Sequence, residues 1–101
     1  MKKVLQLISL AQRAGKVSSG EFQTEEAVKT GIASLVIVAN DASDNTKKKF
    51  TNMCSFYEVP IRMISSKDEF GHCIGKDCRA SLSINDDGLA TKIISEMTNT
   101  N

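Results

Sequence analysis

The spacing of apolar residues changes along this chain, and the changes mark helices and strands. Near the start, apolar residues recur at intervals of three and four, the spacing of an amphipathic helix, and Gly15 marks its end. Residues 16–19 form a short strand candidate, and a second helix is predicted from Gly20 or Glu21 to about Thr30. The stripe of the first helix comprises Val4, Leu7, Ile8, Ala11 and Ala14, flanked by Leu5 and Leu10.

The middle of the chain contains a continuous apolar run, residues 34–39, that has the length and β-branched content of a strand. Such a run is typical of a central strand that is covered on both faces. After a polar loop, Ser43, Asp44 or Asn45 would cap a third helix that extends to about Tyr57. The residues that this helix is expected to bury are Phe50, Met53, Cys54 and Tyr57.

A third strand, residues 61–64, follows the turn at Pro60. Ser66 and Glu69 then form the pattern of a capping box, in which a serine caps a helix and a glutamate lies three residues on. This pattern predicts a short helix that ends at Gly75. Its expected buried residues are Phe70, Cys73 and Ile74.

The last quarter of the chain predicts one more strand and one more helix. Apolar residues alternate over 78–84, and Asn85 or Asp86 would cap a final helix before a disordered polar tail, 98–101. The regular alternation of helices and strands predicts a three-layer α/β/α sandwich that forms one domain over residues 1–97. The alternating strand positions are Cys78, Ala80, Leu82 and Ile84.

Charge and composition narrow the function classes only slightly. Aromatic residues make up 5% of the chain, which argues against recognition of single strands by extensive base stacking. The net charge of +1 specifies no partner, but residues 1–20 carry four basic residues and no acidic one. A local patch of this kind can bind polyanions. A second cluster, Lys47–Lys49, is either such a contact or a solvated helix face.

The chain shows no sign of a membrane segment or a secretion signal. No apolar run approaches the about 18 residues that a membrane span needs. Cys54, Cys73 and Cys78 lack metal-site spacing, and their odd count argues against a disulfide framework. We therefore expect a cytoplasmic protein with reduced thiols, no membrane partner, no metal and no cofactor.

Residues of catalytic type are present, but they do not assemble into an enzyme site. His72 is the only histidine, and its neighbour Cys73 would point about 100° away on a helix, although Cys54 or Cys78 could approach it in space. Asp41 ends a buried strand, where α/β sheets often place active-site groups. The chain lacks the acidic pair that a receiver-type phosphorylation site needs, so we interpret Asp41 as a loop or capping residue.

The order of motifs resembles the ribosomal protein superfamily of the L7Ae type over about residues 3–97. The segments that carry the resemblance are "SGEFQTEEAVKTG", "ANDASDNTKKK" and "VPIRMISSKDEFGHCIGKDCR". The resemblance implies a four-stranded mixed sheet within the sandwich, and RNA binding without catalysis. Members of the superfamily recognise kink-turns, which are sharply bent internal loops with tandem G·A pairs. The resemblance therefore implies that the protein binds structured RNA, either ribosomal RNA on the ribosome or a regulatory leader, and we expect it to be a monomer.

The resemblance also implies where RNA would bind: at the start of the second helix and in the loop between the fourth helix and the fourth strand. Gly20 is kept, while the superfamily's Asn–Glu pair falls on Phe22 and Gln23, and its helical lysine falls on Glu26. Phe22 would either stack on a base or anchor the helix in the core. Lys16 is expected to lie close to Gly20 and to contact a phosphate. The expected RNA-binding residues are Lys16, Gly20, Glu21, Phe22, Gln23, Glu26, Lys76, Asp77, Cys78 and Arg79.

A second hypothesis assigns the same fold to a protein-interaction adapter. The second helix carries three acidic residues, Glu21, Glu25 and Glu26, which would face a basic protein partner. The two hypotheses differ in the role of Glu26, because a change to lysine would help an RNA contact and harm a contact with a basic protein.

Overall fold

The computed structural model describes residues 1–98. In this range five helices alternate with four strands, which confirms the predicted order. The elements are α1 (Lys2–Arg13), β1 (Val17–Ser19), α2 (Glu21–Lys29), β2 (Leu35–Val38), α3 (Asp44–Tyr57), β3 (Ile61–Met63), α4 (Lys67–Ile74), β4 (Ser81–Ile84) and α5 (Asp87–Thr98).

The four strands form one mixed sheet in the order β1-β4-β2-β3. β4 is antiparallel to both β1 and β2, whereas β2 and β3 are parallel. Strands β1, β2 and β3 therefore run in one direction, and their C-terminal ends lie at the same edge of the sheet. We call this side the carboxyl edge. Because β4 runs the other way, it begins there.

Helices cover both faces of the sheet, so the predicted three-layer sandwich is confirmed. α2 and α3 pack together on one face, while α1 contacts both α4 and α5 on the other. All four residues of β2 and all four of β4 are buried between these layers. Phe50 from α3 and Phe70 from α4 are the largest fully buried side chains and fill the core on opposite faces of the sheet.

The alternation predicted over residues 78–84 is wrong, because β4 is buried on both faces and begins only at Ser81. Its two serines are satisfied by polar neighbours rather than by solvent. The Ser81 hydroxyl lies 3.2 Å from the Thr24 hydroxyl, and the Ser83 hydroxyl donates to Asn85 Oδ1 at 2.8 Å. Such pairing is what allows hydroxyl groups to stay in a core.

Three other predictions differ at the ends of elements. α1 ends at Arg13, so Ala14 lies beyond the helix and is exposed. Tyr57 was expected in the core, but it is the last residue of α3 and 42% exposed. Of the predicted tail, Thr98 is the last residue of α5, and residues 99–101 lie outside the described residues.

The helices that follow β2, β3 and β4 are capped by side chains in the predicted regions. Ser43 Oγ accepts a hydrogen bond from the Thr46 N–H, and Ser66 Oγ accepts one from the Glu69 N–H, both at 3.1 Å. Asp86 caps α5 through the Leu89 N–H at 2.9 Å. The Glu69 carboxylate accepts from the hydroxyl of Ser65 rather than returning to Ser66, so in the described chain only the serine half of the predicted capping box is present.

Candidate nucleic-acid interface

The start of α2 is joined directly to the start of β4 at the carboxyl edge. The Gly20 N–H donates to the Ser81 carbonyl at 2.9 Å, and the buried Thr24 meets the Ser81 hydroxyl one turn later. Gly20 has φ 92° and ψ 163°, a region that residues with a Cβ atom rarely adopt. A glycine is therefore required where the chain turns from β1 into α2.

Arg79 lies beside this turn, as the resemblance implied. A Cβ atom placed on Gly20 would be 4.0 Å from Arg79 Cδ, so the arginine stem packs against the start of α2. Its guanidinium donates to the carbonyls of Asp77 and Cys78 at 3.2 and 3.0 Å. These bonds hold the charge at the carboxyl edge, within the loop that links α4 to β4.

That loop, residues 75–80, is held against α4 by a glycine that sequence analysis missed. A Cβ atom on Gly71 would come within 2.3 Å of the Asp77 carbonyl oxygen, which shows how closely the loop backbone approaches the helix. The Lys76 N–H donates to the Gly71 carbonyl at 2.9 Å, and the Arg79 N–H donates to the Lys67 carbonyl at 3.1 Å. A glycine inside a predicted helix was the available signal.

The outer face of α2 is formed by side chains that the core does not use. Phe22 is 68% exposed, so the alternative that it anchors the helix in the core is wrong. Gln23 and Glu26 are exposed as well. The helix is instead held by Thr24, Ala27 and Val28, which are buried on its inner face.

Two of the acidic residues of α2 are paired within the protein. Lys49 of α3 places Nζ 2.9 Å from Glu21 Oε2 and 2.6 Å from Glu25 Oε1. Lys29 reaches the other oxygen of Glu25 at 2.6 Å. Hydrogen bonds donated by Lys29 and Lys49 lower the pKa of Glu25 to about 2, and the same hydrogen bonds to the Glu25 carboxylate raise the pKa of each lysine.

Lys16 does not join this group of residues, and the expectation that it lies near Gly20 is wrong. The two residues flank β1, which separates their Cα atoms by about 13 Å at strand spacing. The Lys16 carbonyl accepts from the Asn85 N–H at 2.8 Å, at the opposite edge of the sheet. The predicted cluster Lys47–Lys49 is also divided, since Lys49 turns toward α2 while Lys48 is exposed.

Two of the residues of catalytic type, Cys54 and Asp41, occupy structural positions. Cys54 is buried on α3, on the other side of the sheet from His72, and burial raises the pKa of its thiol to about 11. Cys78 is exposed in the loop that follows α4, and its thiol is not part of a disulfide. Asp41 Oδ1 accepts from the Lys67 N–H at 2.9 Å, which agrees with its interpretation as a loop and capping residue.

Residues 1–98 contain no group of three or more His, Cys, Asp or Glu side chains that could hold a metal ion. Among the same residues, no helix has both the length and the apolar character that crossing a bilayer requires.

Comparison with known proteins identifies the family. A family model described as "Ribosomal protein L7Ae/L30e/S12e/Gadd45 family" matches residues 2–94. The chain belongs to this family. The resemblance inferred from the motifs is confirmed, and the match covers every element from α1 into α5.

Two bacterial family members are similar over most of their length. One is the RNA-binding protein YlxQ of Bacillus subtilis (strain 168), 42% identical over 88% of this chain and 89% of that protein. The other is the RNA-binding protein YlxQ of Enterococcus faecium, 45% identical over 90% of this chain and 87% of that protein.

Solved structures show the same fold. A protein with unknown function from Bacillus halodurans C superposes with a TM-score of 0.93 at 33% identity, covering 98% of this chain and 100% of that one. The Giardia lamblia 15.5kD RNA binding protein superposes with a TM-score of 0.80 at 24% identity, covering 93% of this chain and 83% of that one. The likeness to the second structure concerns the fold alone.

Proposed function

We propose that this protein is a non-enzymatic RNA-binding protein that recognises kink-turn-like RNA at the carboxyl edge. The proposed RNA surface consists of residues 20–23 and Glu26 on α2 together with residues 76–79 of the loop that follows α4. The observation that carries the proposal is the contact between these two segments, in which the Arg79 stem lies 4.0 Å from the Cβ position of Gly20.

The backbone at the start of α2 suits a phosphate group. Gly20 has no side chain to keep an RNA strand at a distance, and the N–H groups of the first helical turn carry the positive end of the helix dipole. Arg79 brings positive charge to the same edge from the other segment, and the exposed Lys76 adds a second cation to that loop. An arginine is well suited to this role because its planar guanidinium can bind a phosphate through two hydrogen bonds.

The exposed side chains of α2 suit contact with bases. Gln23 carries an amide that can donate to and accept from a base edge, and the exposed ring of Phe22 can stack on a base that has left its helix. Glu26, one turn further along, forms the margin of the proposed RNA surface, because its carboxylate repels a phosphate backbone that continues along α2. This repulsion confines the RNA to the first turn of the helix and favours a bent RNA over a straight duplex.

The family members support RNA as the partner. Both YlxQ proteins are named for RNA binding, and each aligns with this chain over nearly nine-tenths of its length. We propose ribosomal RNA or a regulatory leader as the source of the kink-turn, and a cytoplasmic monomer as the binding form.

A titration against two RNAs tests the proposal. We would titrate the protein with a kink-turn RNA and with a straight duplex of equal length at about 150 mM salt, where non-specific contacts are weak. The expected result is a clear preference for the kink-turn. Equal, weak binding to both RNAs would overturn kink-turn recognition.

A pair of matched arginine variants locates the surface. Arg79→Gln should weaken binding and reduce the salt dependence of log K by about one unit, because one phosphate contact is lost. Arg13→Gln is the control, since Arg13 is exposed at the end of α1, just before β1 begins at the edge of the sheet opposite the carboxyl edge. The same loss in both variants would place the RNA elsewhere.

The adapter hypothesis is less well supported by the geometry. Glu21 and Glu25 are already engaged by Lys49 and Lys29, which leaves Glu26 as the acidic residue of α2 outside those ion pairs. A basic protein partner would have to displace these lysines, or bind mainly through one carboxylate.

A further inference from the structure

Lys49 connects two helices at the margin of the proposed RNA surface. It projects from the second turn of α3 and reaches Glu21 at 2.9 Å and Glu25 at 2.6 Å on α2. Glu21 follows Gly20 directly and its side chain is 57% exposed. One of the two carboxylates that Lys49 binds therefore lies in the turn of α2 where the RNA backbone would arrive.

The acidic residues of α2 outnumber its basic ones, and Lys49 compensates part of this negative charge. The helix carries three carboxylates, Glu21, Glu25 and Glu26, and one lysine, Lys29, so its own net charge is 1 − 3 = −2. With the ammonium group of Lys49 included, the sum is −1. An uncompensated negative charge at the start of α2 would repel a phosphate backbone that arrives there, and the repulsion extends over about 8–10 Å at physiological salt.

We propose that Lys49 is a positioning residue of the RNA surface, which neutralises Glu21 and Glu25 so that the start of α2 can accept phosphate. This inference rests on the RNA-binding function proposed above. Lys49 does not contact the RNA itself in this account, because its ammonium group is held by the two carboxylates. The partner that the surface then accepts is a polyanion whose backbone approaches Gly20 between Glu21 and Arg79.

The ion pairs mean that Lys49 neutralises charge on α2 as well as linking α3 to α2. Each carboxylate of the pair receives a direct bond from the same ammonium group, and Glu25 receives a second one from Lys29. Hydrogen bonds from these lysines keep the pKa of Glu25 at about 2, so both lysines face an ionised carboxylate at every physiological pH. Removal of Lys49 would leave Glu21 negative and unpaired beside Gly20.

The test measures the binding of Lys49 variants, and of a matched control, in the kink-turn titration. Lys49→Gln should weaken binding on the order of five-fold at low salt, and the difference should shrink as salt rises, because the repulsion is screened. Lys49→Arg should bind like the wild type. Lys48→Gln is the matched control, since it removes the same charge from the neighbouring exposed lysine, which is not part of the bridge.

A rescue variant separates charge from structure. The triple variant Lys49→Gln, Glu21→Gln, Glu25→Gln also lacks the bridge, but it has no carboxylate left to repel phosphate. Because Glu21 belongs to the proposed RNA surface, Glu21→Gln alone is the reference for the triple variant: it has the same summed charge on α2 and residue 49, and it keeps the bond from Lys49 to Glu25. Binding of the triple variant at the strength of this reference supports neutralisation. Binding as weak as that of Lys49→Gln alone would overturn the inference in favour of a tether or a direct contact.

The remaining outcomes distinguish the two proposals. If the wild type prefers the kink-turn and Lys49→Gln binds equally well, the proposed function stands and the role of Lys49 is overturned. If the wild type shows no preference, the proposed function is overturned, and the inference that rests on it falls as well. Circular dichroism of each variant confirms that the helices are formed before binding is compared.

Discussion

Three helices begin at the carboxyl edge, and one of them begins differently from the other two. α3 and α4 each start with a serine whose hydroxyl accepts a hydrogen bond from the N–H three residues on. α2 starts with Gly20, which has no side chain to offer. The same sheet edge therefore holds two helix starts with a side-chain cap and one, at α2, without a side-chain cap for its first-turn N–H groups.

The difference shows how stability and binding are divided among equivalent positions. A side-chain cap stabilises a helix by about 1 kcal/mol because it satisfies an N–H group that the helix itself cannot reach. At α2 that stabilisation is replaced by a hydrogen bond from the Gly20 N–H to the Ser81 carbonyl and by the burial of Thr24. Both contacts hold the inner face of the helix against β4. The first-turn N–H groups of α2 are left without a side-chain cap.

The largest effect is expected from Gly20→Ala, which places a side chain at the uncapped start of α2 and so removes its difference from the other two helix starts. The new residue would have to adopt φ near 92°, so we expect a loss of about 1–3 kcal/mol in the free energy of unfolding. The methyl group and the shifted turn should also reduce affinity for the kink-turn RNA at least ten-fold. Urea denaturation and the titration measure the two effects, and unchanged affinity would show that RNA does not approach Gly20.

A smaller effect is expected from Ser43→Ala, which removes the cap of α3. The Thr46 N–H would lose its acceptor, and we expect a loss of about 1 kcal/mol in the free energy of unfolding. Affinity for RNA should not change, because Ser43 lies outside the proposed RNA surface. A large loss of affinity in this variant would mean that the capped helix starts also contact RNA.

The smallest effect concerns pH and the paired acid of α2. The pKa of Glu25 is lowered from 4.5 to about 2, so its ionisation stabilises the folded state above about pH 4.5. That contribution is lost as pH falls from about 4.5 toward 2. Glu25→Gln should therefore be less stable than the wild type at pH 7, and the two should converge in acid.

The check is a series of urea unfolding curves between pH 7 and pH 2. Glu26→Gln is the matched control, because this neighbouring carboxylate is exposed and outside the ion pairs. A gap between Glu25→Gln and the wild type that stays constant down to pH 2 would contradict the proposed ionic role.

The fold was predictable from the sequence because its signals are local. Helix caps at Ser43 and Ser66 and the apolar run of β2 each depend on a few neighbouring residues, and their alternation limits the possible architectures. The start of α2 at Gly20 was predictable for the same reason. The exposure of Tyr57 at the end of α3 was less predictable, since it depends on where the helix extends beyond the sheet.

The arrangement of the interface was less predictable, because it depends on how each helix is rotated. An isolated pattern allows Phe22 to point inward, and only the burial of Thr24, Ala27 and Val28 turns it outward. The bridge from Lys49 to Glu21 joins separate helices, so no local pattern indicates it. Lys16 was misplaced because closeness in sequence was taken for closeness in space, whereas an extended strand carries its two ends apart.

The hydrogen bond from Gly20 to Ser81 joins segments from opposite ends of the sequence. As a chain emerges from the ribosome, the first half of the proposed binding surface is therefore present long before the second. If RNA binds at the proposed surface, recognition requires that β4 has first inserted between β1 and β2 in the sheet. Ligand and fold are then linked by mass action, and RNA at a hundred times its dissociation constant would add about 2.7 kcal/mol to the stability of the finished domain.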